Sequence, residues 1–600
     1  MPSSLIQSKK IGWIFRLASF FFVLVGIFIG VCAIRAPKFG VDLDGRWGPY
    51  RLLLAGAGAA MLLLGLLPGL AILWRRFFYD IWQSHLAGAW HASRSCRRLR
   101  AILATVKSWR PLAWWAENPA RSGGISAVFL FTLCAVIYFW YATVGYGFDN
   151  SKFPSYYQML ADAFRHGQTA LLVEPDPALA QLKNPYDFSQ REHIHYLWDV
   201  SYYNGKYYLY WGPSPVLGQW LLEAISPLPI GDAYLMTFYA VILTGVLFGI
   251  LFSIWRRFFS RASSGAFGLI LIAVGFSNPI LWLVSRPATY EISIIAGQFY
   301  LLAGLWAGLP LLLGDSTKTG RLILAGLGWA LAVLARSTLA IPVIFLGIFC
   351  AWRLIHQKNN IWRRLFAVGI PLALGAGFLF FYNYIRFDSP FEFGIHYQLT
   401  SFSQFNDAEK MFQPRYIPIN FFNYFFNPIN VMPEFPFIEP IPATITFKGI
   451  GINAPDNYSG QWLSGLLISI PFLYFLSVII AQIFCPKARA KLASPMRTLI
   501  GILCITALLE LGMVHFFFSS SMRYAMDSIP TLLILAGMGA WSLLEWAQHA
   551  PHRVWVPWML TVLVFLNAAI GLLLGFSGEN RVFARLNPAL FAQLSAWFRF

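Results

Sequence analysis

Apolar runs long enough to cross a membrane recur along nearly the whole chain, and this one feature limits the fold more than any other. Examples are Phe20–Cys32, Leu52–Leu73, Ile125–Tyr138 and Leu235–Ile254. An α-helix needs about 18–20 apolar residues to traverse a hydrocarbon core of about 30 Å, and several of these segments reach that length. Their residue order lacks the alternation of a barrel strand. Helices satisfy their own backbone hydrogen bonds, which lipid cannot do. The fold class that follows is all-α, a polytopic membrane helix bundle. Only 12% of the residues are charged, about half of what a soluble domain carries, which agrees with that class.

The charges that remain set the threading. Lys9, Lys10 and Arg16 place the N-terminus on the cytoplasmic side, and the run that follows them is long and lacks a small-x-small cleavage site, so it reads as a first span. Spans at 12–34 and 51–74 lead to a basic segment, 75–122, in which nine arginines and lysines face only Asp80 and Glu117. That segment is the strongest inside signal in the chain. Further spans are expected at 125–144, 232–254, 264–284, 289–313, 365–385, 462–484, 497–517, 526–548 and 554–576. Residues 321–353 have basic residues on both flanks, so they cross twice or not at all. A break at Ala335-Arg336-Ser337-Thr338 permits two short helices with Arg336 at the outer interface. About 13 spans result, with two large outer loops at residues 145–231 and 386–460. The division expected is a two-helix extension (1–122), a core (123–552), and a last span with an outer tail (553–600).

The net charge of +19 reflects this inside bias, and no nucleic-acid-binding motif accompanies it. The six cysteines fall in apolar spans or inside loops and imply no disulfide. His193 and His195 lack a spaced third ligand, so no metal or other cofactor is indicated, although a divalent ion is not barred. No phosphate-binding P-loop, GxSxG or zinc helix motif is present.

Chemistry-bearing residues concentrate at the outer ends of spans. Asp149 stands just beyond the third span, where a carboxylate can accept a proton from an acceptor hydroxyl; an N-cap or a solvated loop acid would look the same. An amphipathic helix pattern covers Tyr156–His166 and contains Asp162. The Asn204-Gly205 pair between aromatic strand formers predicts a hairpin, with Lys206 and Tyr207 following it. Lys206 is suited to a phosphate, whereas the tyrosines equally suit anchoring at the lipid–water interface. Arg286 with Glu291, Arg336, and Arg523 with Tyr524 and Asp527 mark three more outer rims. Charges at membrane depth cost a few kcal/mol and usually face a cavity or a partner, with snorkelling as the bland alternative. Several arginines on one face suit an anionic headgroup such as a phosphate.

The order of these elements resembles the polytopic C-type (GT-C) glycosyltransferases, especially the protein O-mannosyltransferase-like family 39 group. The matching residues are Asp149; Tyr156 and Leu160-Ala161-Asp162-Ala163 ending at Gly167; Gly205-Lys206-Tyr207-Tyr208 with Gly212-Pro213; Ala335-Arg336-Ser337-Thr338; residues 382–399; and Arg523-Tyr524 with Pro530. Two departures are Asn150, where the family often has a second acid, and Asp527, which many members lack. The resemblance implies inverting transfer of a sugar from a polyprenyl-phosphate donor to a glycan, lipid or protein acceptor, on the outer face of a bacterial inner membrane. It implies Asp149 as general base, assisted by Asp162, and Lys206, Arg336 or Arg523 at the donor phosphate. Tyr156, Tyr207, Arg286, Glu291, Arg386, Glu392, Tyr397, Tyr524 and Asp527 would contact substrate. A flippase or transporter of a lipid-linked sugar and a polysaccharide polymerase or ligase remain alternatives.

Overall fold

The computed structural model describes residues 117–147, 155–226, 229–358, 360–401, 410–444, 446–447, 452–549, 553 and 555–598. The first two expected spans and Asp149 lie outside the described residues.

Apolar sequence becomes helix wherever the run is uninterrupted. The membrane helices are α1 (Pro119–Ala142), α4 (Asp232–Phe258), α5 (Ser264–Gly275), α6 (Thr289–Leu312), α7 (Thr319–Ala335), α8 (Ala340–Gln357), α9 (Ile361–Phe387), α11 (Leu476–Phe484), α12 (Ser494–Phe516), α13 (Ile529–Gln548) and α14 (Trp555–Ser577). Between α1 and α4 lie α2 (Tyr156–Arg165) and α3 (Val216–Ile225), and between α9 and α11 lies α10 (Ile417–Phe426). Among the described residues eight helices are long and apolar enough to cross a bilayer, and α5, α7 and the segment Pro471–Phe484 are shorter apolar helices. The protein is thus an integral membrane helix bundle.

Two expected spans are broken, each at a proline. The 264–284 run ends as helix at Gly275, passes Asn278-Pro279 and resumes as Ile280–Val284. The 462–484 run starts as Leu466–Ser469, tightens into a 3₁₀ turn at Pro471–Phe475 and continues as α11. Proline has no N–H to give and its ring crowds the preceding turn, so the helix stops there. The 321–353 segment behaves as its flanking charges demand: α7 ends at Ala335 and α8 begins at Ala340. Arg257 pairs with Asp315, and Arg353 Nη2 donates to Leu312 O (3.0 Å), which draws the connections after α4, α6 and α8 together.

Burial distinguishes the core helices from those that face lipid. In α6 and α13, 78% of the apolar window is buried within the protein, against 17% in α9. The α6–α7 crossing is close because small residues meet there: a Cβ on Gly328 would lie 2.8 Å from the Gly304 backbone nitrogen.

The large loops are folded and packed on one another. β1 (Ser201–Tyr203) and β2 (Lys206–Tyr208) form the expected hairpin, with Asn204 and Gly205 left-handed at φ 48° and 71°. That geometry is the turn for which Asn-Gly is favoured. Leu399 N–H donates to Val200 O (2.9 Å), and Ser201 Oγ donates to Gly394 O (2.7 Å), tying the first loop to the second. In the second loop, β3 (Ile429–Val431), β4 (Ile438–Pro442) and β5 (Trp462–Leu463) form a small antiparallel sheet. Ser459–Gly460 pairs in parallel with Ser519–Ser520, just before Arg523.

Candidate active site

At the loop end of the bundle, α6, α7, α9, α12, the 522–527 turn and both large loops enclose a cavity of about 210 Å³. The α7–α8 break supplies its first charge. Arg336 caps α7 in an extended conformation, φ −150° and ψ 107°, so its side chain leaves the helical path. Gly212 makes room for this end: a Cβ there would lie 1.9 Å from Leu334 O. Ser214 fixes the same approach by donating from Oγ to Leu331 O (2.9 Å). The 522–527 turn, held between α12 and the Pro530 start of α13, supplies Arg523, Tyr524 and Asp527. The end of α9 supplies Arg386.

These three arginines differ in how far their charges are already compensated. Arg336 donates to Asp527 Oδ2 from Nε at 3.0 Å and from Nη2 at 2.8 Å. Arg386 donates to Leu209 O and Asn383 Oδ1, each at 2.7 Å, and stacks 3.9 Å from the Tyr382 ring centroid. It therefore stitches α9 to the first loop. Arg523 is buried, with its guanidinium 4.6 Å from the Tyr290 ring and 5.2 Å from Tyr524. Its carboxylate neighbour Glu291 is 3.9 Å away and is shared with Arg286 at 3.0 Å. Arg286 also pairs with Glu579. Arg523 makes one long hydrogen bond, from Nη2 to Tyr524 Oη at 3.5 Å, so its N–H groups are the least engaged of the three, and a guanidinium in that state is a strong donor to an incoming oxyanion.

Asp527 carries the acidic charge of the lining. Burial pushes its carboxyl above the usual carboxylate range, and Arg336 pulls it back. Gln298 holds the turn from below, donating to Asp527 O (2.6 Å) and to Glu510 (3.1 Å). The apolar walls include Val333, Leu379, Phe393, Phe412 and Phe517.

Of the residues singled out in the sequence, Arg336, Arg386, Arg523, Tyr524 and Asp527 line this cavity, and Glu291 and Arg286 lie immediately behind Arg523. The others sit elsewhere in the loops. Asp162 pairs with Arg165 (2.8 Å) on the outside of α2, and Lys206 is exposed on the hairpin. Tyr207 is buried in the first loop, and Tyr156 donates to Trp198 O at 3.0 Å. Glu392 accepts from Gly394 N (2.6 Å) and contacts His396, while Tyr397 packs 4.5 Å from the Tyr203 ring. His193 and His195 are exposed.

One acid was not anticipated. Asp199 accepts hydrogen bonds from Tyr290, a cavity-lining residue, and from Gln398 Nε2 (3.3 Å). Burial pushes its carboxyl above the usual range, opposed by the Tyr290 hydrogen bond. Its partner lies 91 residues away, so nothing local in the sequence marks it.

No protein-family model matches the chain, and no curated protein matches its sequence. Among solved structures, the chain is similar to one described as the crystal structure of ArnT from Cupriavidus metallidurans bound to undecaprenyl phosphate. The match has 14% identity, covers 78% of each chain and has a TM-score of 0.35. The functional reading therefore rests on the cavity.

Proposed function

We propose that the protein is a membrane glycosyltransferase that moves a sugar from a polyprenyl-phosphate donor to an acceptor hydroxyl at the outer face of a bacterial plasma membrane, with its N-terminus in the cytoplasm. The observation that carries this reading is the composition of one cavity: three arginines against one aspartate, set among apolar walls beside α9. α9 buries only 17% of its apolar window, so a lipid chain can approach along it while its phosphate meets the arginines. This is the combination that a lipid-linked anion requires.

In this reading the acceptor oxygen attacks the anomeric carbon, and the bond from that carbon to the phosphate oxygen breaks. A single displacement inverts the centre. The acceptor proton passes to a carboxylate, assigned to Asp149 by its place just beyond α1. The departing polyprenyl phosphate gains charge, which Arg523 and Arg336 stabilise without reorganising. Among the described residues, Asp527 lines the cavity and Asp199 bonds its lining residue Tyr290.

The test uses the full chain in nanodiscs with radiolabelled polyprenyl-phosphate sugars, following release of polyprenyl phosphate. Wild-type turnover that falls about a hundredfold in Asp149→Asn supports the base assignment. Turnover that survives the change moves the base to Asp199 or Asp527. A transporter of the same lipid is the second reading, favoured by Glu510, a carboxyl buried within α12 and bonded to Gln298 and Thr531. Flipping of donor lipid in proteoliposomes without sugar release would establish it and remove the transferase.

A further inference from the structure

The first loop carries a stretch, 183–199, in which seven ionisable residues, Lys183, Asp187, Arg191, Glu192, His193, His195 and Asp199, alternate with aromatic and aliphatic ones. Such a stretch belongs in water. Yet Phe188 is 48% exposed and Trp198 is 42% exposed within it. Their rings meet edge to face at 6.1 Å, and Tyr196 stacks beside Trp198 at 6.2 Å with 29° between the planes. Water-exposed aromatics gathered in this way usually mark a surface that something covers.

The shelf is built rather than loose. Beneath it lies Arg191, 1% exposed, with its guanidinium 4.5 Å from the Tyr196 ring and 5.7 Å from Phe188. Arg191 Nη2 donates to Thr400 O at 2.6 Å, which anchors the shelf to the second loop. Asp199 N–H donates to Leu399 O (3.0 Å), and Tyr156 donates to Trp198 O (3.0 Å). Ring faces held in this way lose little rotamer entropy when a ligand arrives.

The shelf also runs into the cavity. Asp199 follows Trp198 directly, and its carboxylate accepts from the cavity residue Tyr290 and from Gln398. A carboxylate at the end of an aromatic surface suits a ligand with one apolar C–H face and a rim of hydroxyls. An anionic lipid headgroup would be disfavoured, because three carboxylates, Asp187, Glu192 and Asp199, stand here against exposed Lys183 and buried Arg191.

We infer that the Phe188–Tyr196–Trp198 shelf is the acceptor subsite and that the acceptor is a carbohydrate, with a pyranose ring stacked on Trp198 and its hydroxyls directed toward Asp199. The acceptor role rests on the transferase reading, while sugar binding at the shelf is measured separately from it. The full chain in nanodiscs of phosphatidylethanolamine and phosphatidylglycerol is titrated with lipid-free tetrasaccharides of neutral hexoses and of N-acetylhexosamines. At least one binds the wild type, Trp198→Ala weakens it by about tenfold, and Phe188→Ala weakens it less. Because both side chains are exposed, neither variant threatens the fold. No binding by any tetrasaccharide, or unchanged affinity in Trp198→Ala, overturns the inference. So does selective quenching of Trp198 emission by brominated acyl chains, which would make the shelf a membrane anchor. Sugar binding without any donor turnover would sink the transferase reading and leave the shelf as a sugar site.

Discussion

Replacing Arg523 with Gln tests the electrostatic reading of the cavity most directly. In the resting protein the nearest carboxylate oxygen is 3.9 Å away on Glu291. At an effective dielectric of about 20, a unit charge pair at that distance is worth about 4 kcal/mol, against about 6 kcal/mol for Arg336 and Asp527 at 2.8 Å. Glu291 keeps Arg286 at 3.0 Å, so loss of Arg523 does not strand a buried carboxylate and the fold should persist. What disappears is a charge-assisted hydrogen bond to the donor phosphate, worth about 1.5–3 kcal/mol. At 1.36 kcal/mol per tenfold, kcat/KM for donor turnover should fall roughly 10- to 150-fold. Arg523→Lys should recover part of that loss, since it retains the charge without the fork. The assay is release of radiolabelled sugar from polyprenyl phosphate in nanodiscs, with thermal unfolding as the control. An unaltered melting temperature with kcat/KM within about twofold of wild type would falsify the assignment of the phosphate to Arg523.

Three further outcomes are expected. Arg336→Gln removes the attraction that restrains the Asp527 pKa, so the folded protein should hold that proton more tightly than the unfolded chain does. The melting temperature of this variant should therefore rise more steeply than that of the wild type as pH falls from about 8 toward 5, and Arg336→Gln/Asp527→Asn should lose the added slope. Gly212→Ala places a Cβ against Leu334 O, 1.9 Å away, and should cost about 1–3 kcal/mol by denaturant titration while lowering donor turnover through displacement of Arg336. Asp162→Asn and Lys206→Ala alter side chains outside the cavity lining and should leave donor turnover within about twofold; a loss above tenfold in either would return that residue to the chemistry.

What could be read from the sequence follows from what membranes penalise. Lipid cannot satisfy a backbone or a charge, so helices and their ends are written in apolar runs and residual arginines. The Arg336 break is the clearest case: basic residues on both flanks of 321–353 required two crossings or none, and the chain turns there. The Asn204-Gly205 hairpin was legible because only a few residue types favour its left-handed backbone. Long-range pairings had no comparable signal. Arg336 meets Asp527 across 191 residues, and Asp199 meets Tyr290 across 91. A subtler pattern was available in α10 and the residue after it, where Asn420, Asn423 and Asn427 recur among phenylalanines at helical spacing. Three polar residues on one aromatic face imply a clamp, and Asn420 does bond the carbonyls of Val514, His515 and Phe517 at the foot of the Arg523 turn. The distinction matters for function because pairing decides which charge is left for a ligand. The sequence displays Arg286, Arg336 and Arg523 as equivalent rim arginines. The fold gives Arg286 to Glu291 and Glu579 and Arg336 to Asp527, and it leaves Arg523 between two tyrosine rings with one long hydrogen bond to Tyr524 and a distant, shared carboxylate.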